Sequence, residues 1–300
     1  PVKTLLAKQA LPPRPAERAE GVPEDLDALC MRLLAPERRE RPRGSAVLAA
    51  LGVPGEPAET EGEREATTFV GRARELATLS AALEASDAGP RVVLVEGESG
   101  LGKSTLAHHF ASRLRREQPD ALVLAGRCYE RDSVAFKAFD GLVDALSSHL
   151  SRLPAAAVAA LLPAEAGLLP RLFPVFGRVE PIAAAALEAG PDDPQELRRR
   201  GFGALRELLA RLAERAPLVL LVDDLHWTDR DSLALLQELL DPHLGPRLLV
   251  VATLRPVEAP RRDAILAAMG GVWHRTLSLA PLALEQAEAL AAELLPREEP

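Results

Sequence analysis

Short unbroken apolar runs alternate along this chain with longer stretches in which apolar residues recur every three or four positions. The runs are Arg91 to Val95, Ala121 to Ala125, Leu218 to Val222 and Arg247 to Thr253; the mixed stretch Trp273 to Leu279 reads as a last strand. Aliphatic and β-branched runs of this length, bounded by turn residues, predict strands buried on both faces. The periodic stretches predict helices: Glu75 to Glu84 (Leu76, Leu79 and Leu83 on one face), Thr105 to Gln118, Phe136 to Leu150, Gln195 to Glu214, Ser232 to Leu240, and one from Leu284. Residues 155–190 read as short helical pieces of Ala, Leu and Pro. Strands alternating with helices specify an α/β fold, a three-layer sandwich whose mostly parallel sheet carries helices on both faces. Ligands of such sheets sit at the carboxyl ends of the strands.

Two motifs fall at those ends. Gly97-Glu98-Ser99-Gly100-Leu101-Gly102-Lys103-Ser104 is a complete G-x-x-x-x-G-K-[ST] phosphate loop, placed between a strand and a helix that starts at Thr105. Glycines let the backbone curl without Cβ clashes, and the free N–H groups of the helix start face the phosphates. Lys103, expected to be exposed when nothing is bound, reaches the terminal phosphates. The Ser104 hydroxyl ligates Mg²⁺. The second motif follows Leu218-Val219-Leu220-Leu221-Val222, read as the strand beside the phosphate loop. It delivers Asp223 to the Mg²⁺ shell, while Asp224 acts as general base on the attacking water. Asp229 or Asp231 is a candidate N-cap for the next helix.

Composition narrows the setting. Apolar content of 47% with 27% charged residues is that of a globular protein. The net charge of −8, with Arg far outnumbering Lys, is no nucleic-acid footprint. Cys30 and Cys128 lie far apart and form no C-x-x-C pair, which fits a reduced, cytoplasmic protein without a structural metal. His108 and His109 have no Cys or carboxylate at ligand spacing. No apolar run reaches membrane-spanning length and no signal-peptide pattern is visible. The sequence starts Pro1-Val2-Lys3, without Met, and stops in a polar stretch, so it reads as part of something longer.

Organisation changes before residue 67. Residues 24–51 hold a helical pattern, Leu26, Leu29, Cys30, Leu33 and Leu34, then Arg41-Pro42 and a second helix from Ser45 to Leu51. Residues 52–66 carry Glu56, Glu59, Glu61, Glu63 and Glu65 against Arg64, with Pro and Gly, and read as a solvated linker. The Arg198-Arg199-Arg200 run reads as a solvated helix face.

Residues 67–300 resemble the ATPase domain of the STAND class of AAA-related signalling NTPases. Besides the phosphate loop, three features carry the likeness. Phe69-Val70-Gly71-Arg72 is similar to the family's F-V-G-R motif, which packs near adenine and implies Val70, Gly71 and Arg72 as nucleotide contacts. Leu221-Val222-Asp223-Asp224-Leu225-His226-Trp227-Thr228-Asp229 resembles the D-D-x-H-W-x-D form of bacterial members. Val250 to Pro256 resembles the strand whose polar end senses the γ-phosphate, which implies Thr253 and Arg255 as sensors alongside the loop residues through Thr105. Asp224 departs from the Glu usual in AAA+ motors, and no L-S-G-G-Q is present. Trp227 reads as a packing residue and His226 as a hydrogen-bonded structural one.

Residues 1–51 resemble the end of a eukaryotic-like Ser/Thr protein kinase domain. Val22 to Arg38 matches its final helices, and Arg41 matches the arginine that pairs with the Glu of A-P-E. Together these likenesses imply a regulatory ATPase that uses ATP and Mg²⁺, turns over slowly, has protein partners in signalling and can oligomerise on binding ATP. The alternatives are the ATPase module of a STAND-type transcription regulator, or a scaffold that holds nucleotide without hydrolysing it.

Overall fold

The structure is a computed structural model and describes residues 13–19, 21–35, 42, 47, 50–51, 69–130, 135–186 and 190–294. The chain divides into two compact units, Pro1–Arg64 and Glu65–Pro300. In the first, α1 (Glu24–Leu33) buries Leu29 but leaves Leu26, Leu33 and Leu34 exposed, so its apolar stripe is largely uncovered. Its buried carboxylate, Asp27, accepts hydrogen bonds from the Arg14 guanidinium at 2.8 Å and the Ala16 amide at 2.9 Å. Arg41 and the 52–66 stretch lie outside the described residues, as does most of the second helix.

The second unit is built on five strands: β1 (Arg91–Glu96), β2 (Leu122–Arg127), β3 (Leu218–Asp223), β4 (Leu248–Leu254) and β5 (His274–Ser278). All pair in parallel, in the order β2-β3-β4-β1-β5. The expectation that the Asp223 strand lies beside the phosphate-loop strand is therefore corrected. β4, buried at all seven positions, is inserted between them and brings its own end into the site.

Alternation along the strands assigns the two faces. Val93, Val95, Val219, Leu221, Leu249 and Val251 point to the side covered by α2 (Ala73–Ala85) and α3 (Lys103–Glu117). Val92, Leu94, Leu218, Leu220, Leu248 and Val250 point to the other. That second layer is made by α4 (Lys137–Arg152), the short pieces within 155–185, α5 (Pro194–Ala213), α6 (Arg230–Leu239) and α7 (Ala259–Ala267). α8 (Leu284–Leu294) follows β5. Among the described residues, no helix is long and apolar enough to cross a membrane.

The periodic pattern missed α7, because Ile265 is its one buried residue. Its signal is Pro260 in the first turn, where the absent N–H costs nothing. Arg198, Arg199 and Arg200 pair with Asp231, Glu196 and Glu165, as an exposed helix face would.

Asp229 joins two helices of the second layer. Its carboxylate caps α6 through the Ser232 amide at 2.9 Å, and accepts the Lys137 amide at 2.9 Å where α4 begins. Burial pushes its pKa up, but the Ser232 hydroxyl and the Ser232, Lys137 and Phe136 amides outweigh this and hold the carboxyl below its ordinary value. A depressed folded-state pKa stabilises above the unfolded value, and that contribution is lost as pH falls through the folded value. Asp229→Ala should therefore lower stability at neutral pH by about 1–3 kcal/mol, roughly 2–4 °C per kcal/mol in Tm. Thermal melts should show parent and variant converging below about pH 4.

Candidate active site

β1 ends at Glu96, and the chain turns through residues 97–102 before α3 starts at Lys103. Gly100 and Gly102 hold φ of +83° and +81° with open space where a Cβ would sit, so the demand there is conformational rather than steric. Gly102 is the N-cap and supplies no side-chain acceptor, which leaves the first-turn amides of α3 available to an anion. Lys103 is 7% exposed, not open to solvent as expected; its Nζ donates to the Glu98 carbonyl at 2.8 Å. Burial lowers its pKa below that of an ordinary lysine, with Arg255 adding to the effect and Asp224, Asp223 and Glu98 opposing it.

The two aspartates meet this loop from β3. The Ser104 hydroxyl lies 2.8 and 2.9 Å from the two oxygens of Asp223, so the first helical turn and the end of β3 share one hydrogen bond. The Thr253 hydroxyl, from β4, donates to Asp223 and accepts the Asp224 amide at 2.9 Å. Thr253 is buried with its hydroxyl committed on both sides, so it acts on the two aspartates. Of the two expected sensors, Arg255 lines the open hollow, while the Thr253 hydroxyl rests on the two aspartates.

Asp224 is not a free carboxylate. It sits at φ +55°, a left-handed conformation that costs a non-glycine residue about 1–2 kcal/mol, and its amide bond to Thr253 helps hold it there. Arg127 donates to its Oδ2 from two nitrogens, at 2.8 and 3.1 Å. That bond raises the Arg127 pKa against a smaller opposing effect of burial. Sequence reasoning missed Arg127. Its signal is positional: it is the last residue of β2, in register with Asp223 on β3. The guanidinium is half exposed, so the pair is worth roughly 0.2–1 kcal/mol, little enough for an incoming anion to displace.

Ser99, Gly100, Gly102, Lys103, Ser104, Thr105, Arg127, Asp224 and Arg255 surround a hollow of about 250 Å³. Three cations face one carboxylate across it, a balance that suits phosphate. A second, apolar cavity of about 570 Å³ adjoins it and shares Gly100, Gly102 and Thr105. Phe69, Val70, Arg72, Leu101, Pro281, Leu282 and Leu290 line it. Arg72 lines this cavity, yet its guanidinium is engaged with Glu75, the Leu101 carbonyl and the Ala280 carbonyl, so it braces the walls. Gly71 lies outside the lining, with α8 pressed on it; a Cβ there would come within 2.8 Å of Gln286. Gly97 and Glu98 line neither cavity; the Glu98 carbonyl holds the Lys103 ammonium. Phe69 stacks on His109 of α3, centroids 3.9 Å apart.

The oxygen set of Ser104 and Asp223 fits a Mg²⁺ ion, a hard cation that takes one or two protein oxygens and fills its shell with water and phosphate. The paired hollows, one cationic and one apolar, fit a nucleoside triphosphate. Trp227 packs against the core below the site, as expected. His226 does not follow its expectation: it is buried and neither ring nitrogen has a hydrogen-bond partner.

The chain is similar to several known proteins. A protein of Rhizobium meliloti (strain 1021), itself uncharacterized, is 30% identical over 191 residues; the match covers 63% of this chain and 18% of that protein's length. Among solved structures, the Aeropyrum pernix ORC1 protein in complex with DNA is 16% identical over 77% of this chain and 50% of its own, with a TM-score of 0.39. Drosophila ORC bound to poly(dA/dT) DNA and Cdc6 is 15% identical over 74% of this chain and 31% of its own, at 0.40. Residues 68–251 match the family described as the AAA ATPase domain. With a phosphate loop leading into α3 and a carboxylate pair closing β3 of a five-stranded parallel sheet, the chain belongs to the AAA ATPase domain family.

Proposed function

We propose that residues 67–300 bind ATP with Mg²⁺ and hydrolyse it slowly, as the regulatory module of a cytoplasmic signalling Ser/Thr protein kinase. The observation that carries the ATPase part is the Ser104–Asp223 contact at the edge of a hollow lined by Lys103, Arg127 and Arg255. In this reading, Lys103 and the first amides of α3 neutralise the terminal phosphates, while Phe69, Val70 and Leu101 enclose the base. Ser104 and Asp223 hold the metal. Mg²⁺, when bound, would supply positive charge that neutralises the phosphates. Asp224, once released by Arg127, accepts a proton from water as the water oxygen bonds to the γ-phosphorus and the bond to ADP breaks. Arg255 stabilises the charge that develops there.

The kinase part rests on the wording of residues 22–42. Support from the first unit is the exposed stripe of Leu26, Leu33 and Leu34, a surface that a larger helical lobe would cover. A longer chain carrying upstream sequence should transfer phosphate from ATP to serine or threonine of a generic peptide. No transfer would remove the kinase part and leave the ATPase part standing. The scaffold reading, nucleotide held without turnover, is favoured by the Arg127–Asp224 ion pair, which occupies the carboxylate assigned to the attacking water.

Three substitutions test the site. Lys103→Ala should weaken triphosphate binding more than diphosphate binding, since the lost ammonium stands nearest the terminal phosphates; calorimetry with ATP and ADP reads this. Unchanged ATP affinity would remove the assignment. Asp223→Asn should reduce Mg²⁺-dependent binding. Asp224→Asn should leave binding intact and slow phosphate release roughly 10²–10⁴-fold. Parental rates in both aspartate variants would mean that neither carboxylate acts as assigned.

A further inference from the structure

His226 carries two buried polar atoms without partners, and nothing in the proposed chemistry uses them. Buried histidines normally hydrogen-bond, because each unsatisfied buried donor or acceptor costs about 1–3 kcal/mol. Here both ring nitrogens are orphaned in a side chain that is 5% exposed. Burial lowers the ring's pKa, Asp224 opposing, so the imidazole is neutral and carries one N–H and one acceptor nitrogen. Leu225 on one side is buried, and the Trp227 ring lies 4.9 Å away, so the imidazole is held in place.

Asp224 stands close by. Its Oδ1 is 4.0 Å from His226 Nδ1, while its Oδ2 is taken by Arg127. A hydrogen bond needs a distance of about 2.7–3.2 Å, so a shift of roughly 1 Å by the short Asp side chain would close the gap. The carboxylate thus lies between a solvent-facing partner it already has and a buried partner that lacks one. The left-handed backbone at Asp224, held through Thr253, keeps the carboxylate within reach of both.

We propose that His226 is the second hydrogen-bond partner of Asp224, a positioning residue that takes over the carboxylate when Arg127 lets go. In the engaged state Nδ1–H donates to Asp224 Oδ1, and Oδ2 turns towards the hollow, free to accept a proton. This rests on the reading of Asp224 as general base, but the contact itself can be tested without nucleotide.

The experiment begins with nitrogen NMR of the His226 ring in nucleotide-free protein. In the parent, no slowly exchanging Nδ1 proton is expected. In Arg127→Ala, which frees Asp224, an Nδ1–H bonded to a carboxylate should appear, and it should vanish in Arg127→Ala/Asp224→Ala. An unaltered ring in Arg127→Ala overturns the proposal, whatever the protein does with ATP. The second arm is kinetic. Leucine is close to histidine in volume and removes both orphaned atoms, so His226→Leu should keep or raise the parental Tm. It should leave the Kd for ATP unchanged and lower kcat roughly tenfold or more, a part of the general-base contribution. In an Asp224→Asn background it should cost nothing further, and His226→Asn, which keeps a donor near Nδ1, should recover part of the rate. If the NMR contact forms yet His226→Leu turns over at the parental rate, the positioning role is refuted. If the parent binds ATP without hydrolysing it, the turnover part of the proposed function fails, and the NMR arm still decides the contact.

Discussion

Both faces of the sheet are covered over its central strands β1, β3 and β4, and the placement of the site follows from that. A parallel sheet with one face in water would leave half of its aliphatic side chains exposed, at roughly 1.5–3 kcal/mol for each large residue. Here Val93, Val95, Leu249 and Val251 are buried on one side, and Val92, Leu94, Leu248 and Val250 on the other. Strands held in that way cannot slip by one residue, because a slip would turn each buried side chain towards the wrong layer. Fixed register then sets where the strand ends fall. β1 delivers the phosphate loop, β3 delivers Asp223 and Asp224, and β4 delivers Thr253 and Arg255 to one edge.

At that edge, short hydrogen bonds do what packing cannot. Ser104, Asp223 and Thr253 come from three segments far apart in sequence, yet form one connected set that reaches the Asp224 backbone. A change at any member is therefore felt at the others, and effects on binding and turnover need not be additive. The site's charge is held in reserve. Arg127 occupies Asp224 through a half-exposed pair, whereas Lys103 is partly withdrawn onto the Glu98 carbonyl. Such interactions are weak, so both cations can be redirected without rebuilding the backbone.

Much of this was legible in the chain before the structure. The strand runs, the helices at 3–4 spacing and the phosphate loop between them all appear where periodicity put them, within a residue or two at the ends. Those features are local, encoded by neighbours within about one turn or one strand. Three things were not. The insertion of β4 between β1 and β3 depends on which strands pair, which spacing along the chain does not state. The helix Ala259–Ala267 buries one apolar residue and so produces almost no periodic signal. Arg127 looks like any arginine at the end of a strand, since its partner lies 97 positions away.

The sequence by itself determined the α/β class, the phosphate loop, the carboxylate pair closing its strand and the kind of ligand those would hold. Each motif is a pattern of residue types over ten positions or fewer, the range at which steric and solvation rules act, and the class follows from the order in which strand and helix patterns alternate. Only the tertiary structure decided the states of the side chains. The Thr253 hydroxyl rests on both aspartates, Arg72 became a brace, Lys103 was buried, and His226 was left without a partner 4.0 Å from Asp224. Those outcomes depend on which groups from distant segments arrive within hydrogen-bond reach. That is fixed when the sheet closes and both of its faces are buried.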